Sequence, residues 1–214
     1  MKRFAPTFLL CAFLGAGVAH AADYKNALLL VRASKYSEAL SEFKVLAAEG
    51  HAPSQFSIGL IYHLGRGVKA DPESAYMWYK KAAVKEYPPA MNNIGMMYLN
   101  GEYVTSNHNV AFKLFLKASL NHAQAKDNLA QCYEFGWGTE RNIVKAAELY
   151  EKAGDEGYIL GWFHLAQMYE VGYDELPKDI DKAVEWYIKA AEGDLGQART
   201  KLAELGRLPP ELAQ

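Results

Sequence analysis

The chain has 214 residues, 50% of them hydrophobic and 22% charged, which places it among ordinary globular proteins and outside the disordered class. A formal charge of −2 with no cluster of Lys and Arg lacks the electrostatic footprint of a nucleic-acid binder. Two cysteines, Cys11 and Cys132, exclude a disulfide-stapled scaffold and a four-cysteine zinc site.

Residues 1–21 have the three parts of a secretory signal peptide. Lys2 and Arg3 form the positive start, an apolar run follows from Phe8 to Val18, and Ala19-His20-Ala21 places small residues where a signal peptidase reads. A transmembrane anchor is the poorer reading. Gly15 and Gly17 interrupt the run, which falls short of the about 20 residues a bilayer needs. Leu10 before Cys11 is not the small residue of a lipoprotein site, so Cys11 belongs to the apolar run. Cleavage after Ala21 removes two basic residues and takes the net charge from −2 to −4. No later segment is long and apolar enough to span a membrane, so the expectation is a soluble, exported protein of a bacterial periplasm.

Residues 22–50 read as an N-terminal capping helix pair. Its first helix runs from about Tyr24 to Ser34, and its second carries Ala39, Phe43 and Ala47, each 36 residues before Ala75, Tyr79 and Ala83. From residue 51 to 195 the chain repeats itself about every 36 residues, in four units at about 52–87, 88–122, 123–158 and 159–195. Tyr62, Tyr98, Tyr133 and Tyr169 mark one column; Gly65, Gly101, Gly136 and Gly172 mark another, three residues later. An aliphatic-small pair precedes each tyrosine: Ile58-Gly59, Ile94-Gly95, Leu129-Ala130 and Leu165-Ala166. Downstream come Trp78-Tyr79, Leu114-Phe115, Leu149-Tyr150 and Trp186-Tyr187, each followed by a lysine and two small residues.

The columns have physical causes. Ile58, Gly59 and Tyr62 share a helical face, where the small residue admits a second helix and the tyrosine covers the gap. Gly65 stands where a helix ends in a left-handed conformation, and Asp71-Pro72 starts the next one as N-cap and first turn. Ala75, Tyr79, Ala82 and Ala83 form an amphipathic stripe. Each unit is thus two antiparallel helices that bury their stripes only when stacked. Residues 196–214 add a capping helix, about Gln197 to Gly206, and a loose tail after Pro209-Pro210.

This pattern resembles the Sel-1-like repeat, a relative of the tetratricopeptide repeat with a longer inter-helix loop. Ile58-Gly59 through Ala83 matches nearly throughout, including Gly65-Arg66-Gly67-Val68, Asp71 and Trp78-Tyr79-Lys80-Lys81-Ala82-Ala83. Tyr103 and Asp174 stand where the second loop glycine belongs in units two and four, so those loops are expected to differ in shape. The resemblance implies an all-α, right-handed α-α superhelical solenoid, and a class of function: protein-interaction scaffolds and adaptors, often in the bacterial envelope.

No constellation of chemistry stands out. His51, His63, His108, His122 and His164 show no i, i+4 metal spacing. Cys132 reads as a buried inert thiol, with pairing between chains as the alternative. Gly65-Arg66-Gly67-Val68 follows a helix and lacks the ending of a phosphate loop. Catalytic residues, metal and cofactor are therefore expected to be absent. The working surface is expected on the inner wall lined by first helices. There the positions flanking each aliphatic-small pair read Ser57, Asn93, Asn128 and His164 on one side and Leu60, Met96, Gln131 and Gln167 on the other. An amide ladder can satisfy the backbone of an extended peptide, and methionine adds adaptable apolar surface. The expected function is a monomeric, non-catalytic adaptor or regulator that binds another protein or a peptide. A periplasmic immunity protein neutralising a toxic effector is a narrower form. A cell-wall hydrolase is the rival, and a structural spacer a third reading.

Overall fold

The computed structural model describes residues 16–213, with side chains from Tyr24 onward. Residues 1–15 of the expected leader lie outside this span. Among the described residues eleven helices follow in order: α1 (Ala16–Arg32), α2 (Tyr36–Ala48), α3 (Ala52–Leu64), α4 (Pro72–Val84), α5 (Pro88–Asn100), α6 (His108–Ala118), α7 (Ala123–Phe135), α8 (Ile143–Asp155), α9 (Leu160–Val171), α10 (Ile180–Glu192) and α11 (Gly196–Glu204). A short 3-10 turn, Pro210–Leu212, follows. The first helix begins upstream of Tyr24, through an alanine-rich stretch of high helix propensity. Among the described residues the single strand-like feature is an isolated bridge between Tyr173 and Leu176.

Each helix packs on its predecessor and its successor, and beyond these neighbours the main contacts run from α5 to α7 and from α7 to α9. That is the contact pattern of stacked hairpins, an all-α solenoid with its first helices side by side. Tyr79, Phe115, Tyr150 and Tyr187, on the second helices, form the spine of the core and are almost wholly buried. They, and not the first-helix tyrosines, cover the small residues. A Cβ on Gly59 or Gly95 would lie 2.5 Å or 2.6 Å from the ring of Tyr79 or Phe115. Three of the first-helix tyrosines, Tyr62, Tyr98 and Tyr169, sit further out and are half-buried, whereas Tyr133 is buried. Trp78 and Trp186 are also half-buried, and Lys81 and Lys189 place their Nζ 3.7 Å and 3.9 Å from the ring centres.

Every second helix of the four repeats starts on an Asx cap. The side chains of Asp71, Asn107, Asn142 and Asp179 accept from the N–H of Ser74, Val110, Lys145 and Lys182. The first helices of units one to three end on left-handed Gly65, Gly101 and Gly136. The second loop position has positive φ in Gly67, Tyr103 and Gly138 alike, at 70°, 62° and 72°. The unit-two loop therefore keeps its backbone course despite Tyr103, whose hydroxyl donates to Glu73 at 3.0 Å and whose ring packs on Tyr76. The unit-four loop does differ: Gly172 is extended in ψ at 148°, and Tyr173 and Leu176 form an isolated bridge within the loop. The C-terminal tail is anchored where a loose end was expected. Leu208 and Leu212 pack on the same cluster as buried Leu202, so apolar contact holds the chain after its prolines.

Candidate binding surface on the inner wall

A buried tyrosine hydroxyl requires a partner. In units one, three and four the residue after the repeat tyrosine meets that requirement. His63 Nδ1 lies 3.1 Å from the Tyr79 hydroxyl, Tyr150 donates to Glu134 at 2.7 Å, and Tyr187 donates to Glu170. In unit two the ring is Phe115, which has no hydroxyl, and the matching residue is Leu99, packed in the same apolar cluster. Each polar member also reaches the next unit. His63 Nε2 bonds Glu102, Glu134 accepts from Tyr173, and Glu170 accepts from Lys201 at 3.2 Å.

The electrostatics follow from these contacts. Burial, with Glu134 and Asp127 nearby, holds the Tyr150 hydroxyl far above its ordinary range, so it stays a donor. Burial and the Glu134 hydrogen bond push Tyr173 up to about 12. Burial alone would raise Glu170, but the Tyr187 hydroxyl and Lys201 outweigh it and hold its carboxyl below the usual value.

The expected wall residues divide into three groups. Gln131, His164 and Gln167 line one open cleft of about 210 Å³ between α7 and α9, with Glu134, Phe135 and Tyr150. Behind it Asp127, 1% exposed, accepts from Gln131 Nε2 at 3.0 Å and lies 2.7 Å from His164 Nδ1. Ser57 and Leu60 lie in a second cleft of about 120 Å³, against α1 and α2. Of the other three, Asn93 and Met96 are half-buried and Asn128 is buried. Asn128 is buried and its amide donates to Asn92 Oδ1 at 2.7 Å, a bond between first helices of adjacent units. Asn93 lies within hydrogen-bonding reach of Tyr79. Met96 packs against the central core cluster. The amide ladder is therefore broken at Asn128, which joins α7 to α5.

Other residues have structural surroundings. Cys132 is fully buried, and burial pushes its thiol up to about 12. His51 caps α3 and bonds Ser54 at 2.8 Å. His122 lies at the start of α7, where burial lowers its pKa. No described group of three or more His, Cys, Asp and Glu residues is placed to hold a metal, and no described helix is long and apolar enough to cross a membrane. Sequence reasoning missed Asp127, Glu134 and the residues of α1 and α2. The only sign of the tyrosine-partner column was its fixed position after each repeat tyrosine, because its residue types vary.

Comparison with known proteins agrees with this architecture. A solved Sel1 repeat protein from Oxalobacter formigenes superposes with a TM-score of 0.79 at 31% identity, covering 89% of this chain and 80% of that one. Chitin synthase regulatory factor 3 of Schizosaccharomyces pombe is 25% identical over 173 residues, 78% of this chain. The chain spans 19% of that relative's length. Immunity protein Pa5087 from Pseudomonas aeruginosa shares the fold, with a TM-score of 0.63 at 21% identity over 91% of this chain and 74% of that one. Sel1 repeats typically mediate protein–protein interaction and are generally non-catalytic. Residues 52–83, 88–121, 123–158 and 163–195 each match the Sel1 repeat, and the chain belongs to that family.

Proposed function

We propose that the chain is a non-catalytic, exported scaffold that holds a partner protein along its inner wall. The observation that carries this reading is the cleft between α7 and α9. Gln131, His164 and Gln167 are half-buried there, and Gln167 has no hydrogen-bond partner among the described residues. A half-buried amide without a partner is ready to meet the backbone or side chains of a bound protein. The cleft's carboxylates, Asp127 and Glu134, are held by His164, Gln131 and two tyrosines, so neither stands free as an acid or base beside an open nucleophile. Export rests on the tripartite pattern of residues 1–21.

The test is capture from periplasmic extract with mass-spectrometric identification, comparing the parent chain with a Gln131→Arg/Gln167→Arg variant. One stoichiometric partner is expected, with recovery at least tenfold lower for the variant and an unchanged melting temperature. Equal recovery would place the contact elsewhere. Turnover of cell-wall substrate that co-purifies with the chain to homogeneity would replace the scaffold reading with the hydrolase. N-terminal sequencing of the exported protein is expected to begin at Ala22.

A further inference from the structure

The second cleft on the inner wall differs in chemistry from the first. Leu28 and Val31 of α1 face Leu60 and Leu64 of α3 across it, and Phe43 and Tyr36 of α2 contribute to its lining. Leu28 and Leu64 remain 37% and 53% exposed, so apolar surface continues to the rim instead of closing into the core. A shallower groove lined by Leu28, Leu29, Lys25 and Arg32 adjoins it along α1. Leu28 belongs to both, which makes them one continuous surface.

The charged residues at this rim share one sign. Arg66 lines the cleft and stacks its guanidinium 5.9 Å from the Tyr36 ring centre. Arg32 and Lys25 line the adjoining groove. Among the described residues none of the three has a carboxylate within ion-pairing distance. Elsewhere on the chain Lys117, Lys126, Arg199, Lys201 and Arg207 do have such partners. An apolar trough with unpaired cations at both ends attracts the complementary pattern: a large apolar side chain flanked by acids.

We propose that this trough docks an acidic segment of the partner protein, with a large aliphatic or aromatic anchor seated between Leu28 and Leu60. The anchor buries against α1 and α3, and flanking Asp or Glu side chains meet Arg66 on one side and Arg32 and Lys25 on the other. Because the cations are spread along the trough, they suit an internal segment with several acids better than a single terminal carboxylate. The inference rests on the scaffold reading above and adds a class of ligand and a location to it.

Selection of binders from a displayed library of random 12-residue peptides on the purified chain tests it. Enriched peptides are expected to carry a Leu, Ile, Phe or Trp flanked by Asp or Glu. A synthetic copy of the best binder, read by fluorescence anisotropy, should weaken at least tenfold against Arg66→Glu/Arg32→Glu and against Leu60→Asp. Circular dichroism and melting temperature confirm that the variants fold; Arg66 and Arg32 are exposed, so the charge reversal leaves the core intact. The same peptide with Lys for each acid should bind the charge-reversed variant and not the parent. Affinity for the parent should fall as salt rises, and this slope should flatten in the charge-reversed variant. Neutral or basic enriched peptides, or an affinity indifferent to both variants, would overturn the proposal. If binding is lost instead in Gln131→Arg/Gln167→Arg, the scaffold reading stands and this trough is excluded. Peptides ending in an acid whose affinity needs a free terminal carboxylate would replace the internal segment. Failure to enrich any peptide, together with failure to capture a partner, would overturn both readings.

Discussion

In units one, three and four a buried tyrosine hydroxyl meets His63, Glu134 or Glu170; in unit two Phe115 shares an apolar cluster with Leu99. The match between ring and neighbour is chemical, and it can be transplanted. Phe115→Tyr adds a hydroxyl where the residue after the repeat tyrosine, Leu99, offers no acceptor, at a cost of about 1–3 kcal/mol. Adding Leu99→Glu should recover part of that loss, so a double-mutant cycle by urea denaturation is expected to show favourable coupling. Additive losses would show that the pairing carries no energy. Glycine gives a second contrast. Gly136 and Gly138 have the same φ of 72°. A Cβ on Gly136 has its nearest neighbour at 3.6 Å, while one on Gly138 would lie 2.2 Å from the carbonyl oxygen of His108. Gly136→Ala is therefore expected to cost about 1–2 kcal/mol through backbone strain alone, and Gly138→Ala clearly more. The repeat columns of Gly, Ala and aromatic residues were legible because one residue type recurs at one spacing. The tyrosine-partner column was not: His, Leu, Glu and Glu share no property until their partners are known.

At the scale of the helix, the caps on α4, α6, α8 and α10 recur at the spacing of the repeat, although only Asp71 stood out in the sequence. Asn142→Ala should cost about 1 kcal/mol, measured by denaturant unfolding. Asp71 differs from the asparagine caps in carrying a charge. The Ser74 hydroxyl, then the Ser74 N–H, hold its carboxyl below the usual 3.8. Since the folded value is the lower one, its contribution is complete above the unfolded value and is lost as pH falls through the folded value. Asp71→Asn keeps the cap and removes that dependence. The variant is expected to lose less stability than the parent as pH falls below about 4. A parallel decline in both would mean that the charge at this cap is immaterial. Loop shape was only partly legible. Tyr103 follows a backbone course that glycine usually takes, because Glu73 and Tyr76 offer its side chain contacts across the unit boundary. Which of the expected wall residues have free polar groups was not legible. Asn128 has the residue type and position of a ligand-binding amide, yet it spends its donor on Asn92.

Across the molecule, stability passes from each hairpin to its neighbours, and the end units depend on their caps. Helix α11 closes the last unit with buried Ala198 and Leu202 and the Lys201–Glu170 bond. Leu202→Asp is expected to raise hydrogen exchange in α9 and α10 well before α3 to α6 respond. Uniform loss of protection would instead show a single cooperative unit. The most direct measurement of the scaffold account is site-directed photo-crosslinking to the captured partner. A photoreactive residue is placed in turn at Leu60, Gln131 and Gln167 on the first helices, and at exposed Val45, Met77, Leu116 and Val144 on the second helices. Adducts are expected from the first-helix positions and not from the second-helix ones. Adducts concentrated on the second helices would contradict the account, because the partner would then sit on the opposite side of the solenoid.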